Sequence, residues 1–274
     1  MINADIFADA VAATKSGKYE EALDQWRNFL LLEPDHANAL NNIAHVLMRL
    51  SRYSEALEPL RKCLEICPNH GPAFDNLGIV YGELGDTDSS IQAQRRATEC
   101  LPTATSYYNY GIALASAEKL DLAEVAYRNA ISIDPILTAA HINLGLLLES
   151  SGRIEEAIME METVATLGHG DIQPQMYLVE LLERAGRHDD AIAMLRPYIE
   201  NHPADEKVWT LFGAILVVKS LEERSVQETR GDLLRARIVL IRFIMNANVR
   251  RIIVGICRVL AASDDDGILR STTI

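Results

Sequence analysis

Four asparagines fall on one ruler: Asn42, Asn76, Asn109 and Asn143 are separated by 34, 33 and 34 residues. A carboxamide carries a donor and an acceptor together, so a regularly spaced column can hydrogen-bond the backbone of an extended peptide without reading its side chains. That is recognition chemistry, and no catalytic constellation stands beside it. Of the seven histidines, His36, His70, His169 and His202 lie in or beside expected turns, His188 begins a helix, and His45 and His141 sit on helices. Each reads as structural rather than as a proton shuttle. No phosphate-cradling glycine loop, nucleophile elbow or paired metal-ligand helix is visible in the sequence. The four cysteines form no disulfide framework: Cys63 and Cys67 are one helical turn apart and Cys100 ends a helix, so they read as small core hydrophobes of a reducing compartment. The expectation is a chain that is not an enzyme and holds no cofactor or metal.

A repeat positions the asparagines. Pro34, Pro68, Pro102, Pro135, His169 in place of a proline, and Pro203 are spaced by 34, 34, 33, 34 and 34 residues. A unit of this length is one helix-turn-helix, which cannot bury its own apolar face and must stack on its neighbours. Overlaying the units aligns a first column of small residues (Ala10, Ala44, Gly78, Gly111, Gly145, broken by Val179) with a second (Ala22, Ala56, Ser90, Ala123, Ala157, Ala191). Helices approach closely only where side chains are short. Between the columns, Gly17, Ser51, Gly85, Glu118, Gly152 and Gly186 mark a turn where glycine permits the left-handed conformation that ends a helix. Large residues follow on the second helix at Trp26, Leu60, Tyr127, Met161 and Leu195. Apolar residues three and four apart, as in Leu40, Ile43 and Leu47, make both halves amphipathic helices. No credible strand is expected before residue 219.

This order of small, turn, aromatic and proline positions resembles the tetratricopeptide repeat. It spans residues 3 to about 219: six units (3–36, 37–70, 71–103, 104–137, 138–171, 172–205) and half a seventh with Trp209 and Gly213. The resemblance implies an all-α, right-handed superhelical solenoid of antiparallel helix pairs, with a concave groove lined by the first helices. In the family's register the groove receives the fifth, sixth and ninth residues of each first helix, among others. That puts Asn42, Asn76, Asn109 and Asn143 in the groove, with Tyr108, Ile142, Ile79, Ile112 and Leu146 forming an apolar middle. Toward the edges come Glu83, Glu149, Glu180 and Glu183, offset by Arg49 and Arg184. The expected partner is a protein or peptide segment, apolar to basic in character. The column is also similar to the asparagine column of the O-linked N-acetylglucosamine transferases, which leaves open a substrate-selecting arm of a protein glycosyltransferase. Plainer readings stand beside these: asparagine is common at this repeat position, and some of the apolar residues pack between helices. The lysines and arginines with which some tetratricopeptide domains clamp acidic chaperone tails are missing, so such tails are not expected to bind.

Charge narrows the partner further. The net charge is −13, but it divides unevenly: residues 1–219 hold 17 basic and 32 acidic residues, whereas residues 220–274 hold 9 and 7. An acidic array repels nucleic acid, whose binding depends on basic residues neutralising phosphates. Met1 to Phe7 lacks the basic and apolar pattern of a signal peptide, so a cytoplasmic location is expected. The chain thus reads as a repeat array, 1–219, and an atypical arginine-rich segment, 220–274. Three readings of that segment remain: helices that cap the last repeat, a membrane-surface or partner-binding helix with Leu234, Ile238, Ile241, Met245 and Ile252 on one stripe, or a poorly ordered or strand-forming tail, with β-branched runs at Ile238–Met245 and Ile252–Leu260. With no charge-free window of about 18 residues it cannot span a bilayer. Its abrupt change of pattern also fits a chain shortened or altered at its end. An acidic array and a basic tail in one chain raise a further possibility, self-assembly into a homo-oligomer through residues 220–274.

Overall fold

The computed structural model describes residues 2–167, 172–202, 204–222, 230–240, 249 and 251–260. Helices follow one another in pairs: α1 (Ile2–Lys15) and α2 (Tyr19–Leu32), α3 (Ala37–Arg49) and α4 (Tyr53–Ile66), α5 (Gly71–Glu83) and α6 (Thr87–Cys100), α7 (Ala104–Ser116) and α8 (Leu120–Ile133). They continue as α9 (Thr138–Ser150), α10 (Ile154–Leu167), α11 (Ile172–Arg184), α12 (His188–Asn201), α13 (Glu206–Glu222) and α14 (Arg230–Leu240). No strand occurs among the described residues. The architecture is the all-α helical repeat solenoid that the spacing calls for, and it forms two compact units, residues 1–147 and 148–274.

In the first unit each pair packs internally and each second helix rests on the next first helix: α2 on α3, α4 on α5, α6 on α7. The first helices α3, α5 and α7 also touch in succession, making a continuous face. The two small columns are why this works. Ala10, Ala22, Ala44, Ala56 and Ala123 are fully buried, and Trp26, Leu60 and Tyr127 are sealed against them. Gly111 shows the tolerance of the fit: a Cβ built there would stand 2.5 Å from the Tyr127 ring, closer than any side chain tolerates.

The turn column behaves as one structural position whatever residue fills it. Gly17, Gly85, Gly152 and Gly186 have φ of +74° to +80°, and Ser51 and Glu118 follow at +57°. The repeat's geometry forces the left-handed conformation on a serine and a glutamate. His36 and His70 take the place of the usual capping residues, their Nδ1 atoms accepting from the Ala39 and Ala73 backbone at 3.1 Å. His169 and Pro203 lie outside the described residues.

In the second unit α10 packs on α11, α11 on α12, α12 on α13, and α13 on α14. Residues 251–260 are helical, which overturns the strand reading for Ile252–Leu260, and Ile238 to Leu240 belong to α14. Burial of an apolar stripe outweighs β-branched composition here: Leu233, Ala236, Ile256 and Val259 are buried. Arg196 of α12 pairs with Asp232 of α14 at 2.6 Å. Ile241 and Met245 lie outside the described residues.

Candidate functional site

The face built by α3, α5 and α7, with the start of α9, carries the asparagine column. All four asparagines are half-buried. The bonds they make were not apparent in the spacing: Asn76 Nδ2 donates to Asn41 Oδ1 at 2.9 Å, Asn109 Nδ2 to Asp75 Oδ1 at 3.1 Å, and Asn143 Nδ2 to the Tyr108 hydroxyl at 3.4 Å. Each amide therefore reaches back to the residue just before the preceding unit's ladder position. Among the described residues, the carbonyl oxygens and second N–H groups of Asn76 and Asn109 have no protein partner. The column links successive first helices through side-chain hydrogen bonds.

The apolar middle divides by depth. Ile79, Tyr108 and Ile142 are half-buried, whereas Ile112 and Leu146 are 39% and 46% exposed. These two present the most apolar surface to solvent. Tyr108 leans toward Tyr127, ring centroids 6.2 Å apart. Burial, reinforced by Tyr108, pushes the Tyr127 phenol up to about 12, opposed by the nearby Asn143 amide. Burial likewise raises the Asp75 carboxyl above its ordinary 3.8, opposed by the bond from Asn109.

The edge charges sort into engaged and available. Arg49 donates from Nε to the Tyr19 hydroxyl at 3.0 Å and lies over its ring. In the second unit, Glu149 accepts from the Tyr177 hydroxyl and pairs with Arg184. Glu83 is exposed and has no ion-pair partner among the described residues. It borders a cavity of about 360 Å³ lined by residues of α5, α6 and α7.

Sequence reasoning passed over Gln94, a polar residue lining that cavity. It stands on α6 where other second helices carry a tryptophan, leucine, tyrosine or methionine, and it is 1% exposed. The gap in the column of large apolar residues was the signal. Burial pushes the Cys63 thiol up to about 11, with Cys67 adding to the shift. Cys63 is a core residue, while Cys67, Cys100 and Cys257 are half-buried. Among the described residues no group of histidine, cysteine and carboxylate side chains could hold a metal ion. No described helix is long and apolar enough to cross a membrane.

Three family models described as tetratricopeptide repeat match the chain, over residues 35–102, over 104–136 and 138–167, and over 172–215. No curated protein sequence matches it. Among solved structures, PilW, a widely conserved type IV pilus biogenesis factor, is similar at 19% identity and a TM-score of 0.64, covering 77% of this chain and 98% of that one. TTC0263, a thermophilic TPR protein of Thermus thermophilus, is 19% identical with a TM-score of 0.55 over 66% and 98% of the two chains. YrrB, a TPR protein with an unusual peptide-binding site, is 21% identical with a TM-score of 0.51 over 61% and 87%. At these identities the solved structures establish the shared fold. With the family models spread across the array and the fold in agreement, the chain belongs to the tetratricopeptide repeat superfamily.

Proposed function

We propose that this chain is a non-catalytic protein–protein interaction scaffold that binds an extended peptide, or an extended segment of a partner protein, along its first-helix face. The observation that carries the reading is the half-buried column Asn42, Asn76, Asn109 and Asn143 with exposed Ile112 and Leu146 beside it. Unspent amide groups suit a peptide backbone, and the exposed apolar residues suit its side chains. The acidic balance of residues 1–219 favours partners that are apolar to basic.

The test compares affinity purifications with the unaltered chain and with Asn76, Asn109 and Asn143 all changed to alanine. Each lost hydrogen bond is worth on the order of 1 kcal/mol, so partners held by the column should be depleted in the variant while its helix content by circular dichroism stays intact. Partners retained equally by both would exclude this face. The column's resemblance to that of the O-linked N-acetylglucosamine transferases supports a second reading, the substrate-selecting arm of a protein glycosyltransferase. In that case a glycosyltransferase should copurify and be lost with the triple variant.

A further inference from the structure

The third repeat departs from its neighbours in a way that packing alone does not explain. Where other second helices of the first unit bury Trp26, Leu60 or Tyr127, α6 buries Gln94. Its Nε2 donates to the Asp75 carbonyl at 3.0 Å. Its Oε1 is buried and has no partner among the described residues. A buried carboxamide oxygen left unpaired is costly, and an apolar side chain of similar volume would remove the cost. The other repeats make that exchange.

Gln94 also lies at a cavity. Gly78 is covered by Gln94 itself, a Cβ built there standing 2.5 Å from its amide nitrogen, whereas Gly82 on α5 and Ser90 on α6 are too small to fill the space beside it, leaving about 360 Å³. Ile79 and Ile112 form apolar walls, and Glu83 borders the space. The Ser90 hydroxyl donates to the Gly78 carbonyl at 2.7 Å, so toward a ligand it offers only lone pairs. Gln94 Oε1, Ser90 Oγ and the Glu83 carboxylate are acceptors, Thr87, Asn109 and Ser116 add groups that donate or accept, and the one charge among the lining residues is the negative charge of Glu83. The matching ligand brings an apolar stem and a charged head made of donors, as lysine and arginine do.

We propose that this cavity is a recognition pocket for one lysine or arginine side chain of the bound peptide, its methylenes against Ile79 and Ile112 and its cationic head among Gln94, Ser90 and Glu83. The inference rests on the first-helix face being the peptide site. It turns a general preference for basic partners into one fixed position of the ligand.

A randomised nonapeptide library, selected on the 274-residue chain, tests it. Selected peptides should carry lysine or arginine at one fixed position, and replacing that residue by norleucine should weaken binding about tenfold, the scale of a charge-assisted hydrogen-bonded contact. Glu83→Gln, at an exposed site, should cost a similar factor. In Gln94→Met the preference for the basic peptide over its norleucine analogue should shrink, through weaker binding of the basic peptide alone. Selected peptides with no fixed basic residue would overturn the pocket and leave the peptide face standing, as would a Gln94→Met variant that weakens both peptides equally. Peptides whose binding survives the triple asparagine variant would overturn the face and the pocket together.

Discussion

Ser51 and Glu118 measure what the turn demands of a side chain. Both hold φ of +57° where the equivalent positions are glycine, and a residue with a Cβ is disfavoured there by roughly 1–2 kcal/mol, partly offset by glycine's freedom in the unfolded chain. Ser51→Gly and Glu118→Gly should each stabilise the protein by about 0.5–1 kcal/mol, read as a higher urea midpoint with unchanged slope. Asp75 is a second test. Burial raises its carboxyl, so the folded chain holds the proton more tightly than the unfolded one. The stability Asp75 provides is complete below 3.8 and is lost as pH rises through the folded value. Asp75→Asn copies Asn41 at the same position of the preceding repeat and should melt at a higher temperature near neutral pH, the advantage closing as pH approaches about 3. The turn column was legible from the sequence because it recurs. The bonds Asn76–Asn41, Asn109–Asp75 and Asn143–Tyr108 were not, because they join residues 34 or 35 apart and no local pattern says which neighbour an amide hydrogen meets. Gln94's unpaired oxygen was equally out of reach, since pairing depends on rotamers.

At the scale of the element, each helix pair is a small residue set against a large one: Ala44 with Leu60, Gly78 with Gln94, Gly111 with Tyr127. The contacts under Gly111 leave no room for even one methyl group. Gly111→Ala should therefore destabilise by about 1–3 kcal/mol through overpacking, as seen in chemical denaturation. Adding Tyr127→Leu recreates the alanine–leucine pairing of the second repeat, so the double variant should lose less than the two single costs combined, with a coupling of about 1 kcal/mol. Helix identity was legible in these columns. Helix identity in the arginine-rich segment was not: residues 251–260 have the composition of a strand and become helical because Ile256, Val259 and Leu260 have something to be buried against.

For the whole molecule, the ends of a solenoid are its exposed faces. In the second unit α14 packs on α13, and a Cβ at Gly255 would meet Val217 of α13 at 3.4 Å, so both described helices beyond residue 229 border α13. Deleting residues 223–274 should uncover that helix: binding of a hydrophobic dye should rise, and the mass by light scattering should increase through association of the uncovered faces. A fall in mass would mean instead that the segment joins copies of the chain.

The asparagine bonds along the first-helix face have a mechanical consequence. Within the α3–α4 and α7–α8 pairs the interior is a contact of small against large residues that resists deformation, whereas the bonds linking α3, α5, α7 and α9 run between half-buried side chains that water can replace. Residues 41–143 are therefore a spring with a stiff spine and a compliant lining, and bending should be taken up first at the polar rungs. A peptide bonded to several rungs at once would stiffen that lining, so ligand binding should be felt as tension along the array before any helix moves.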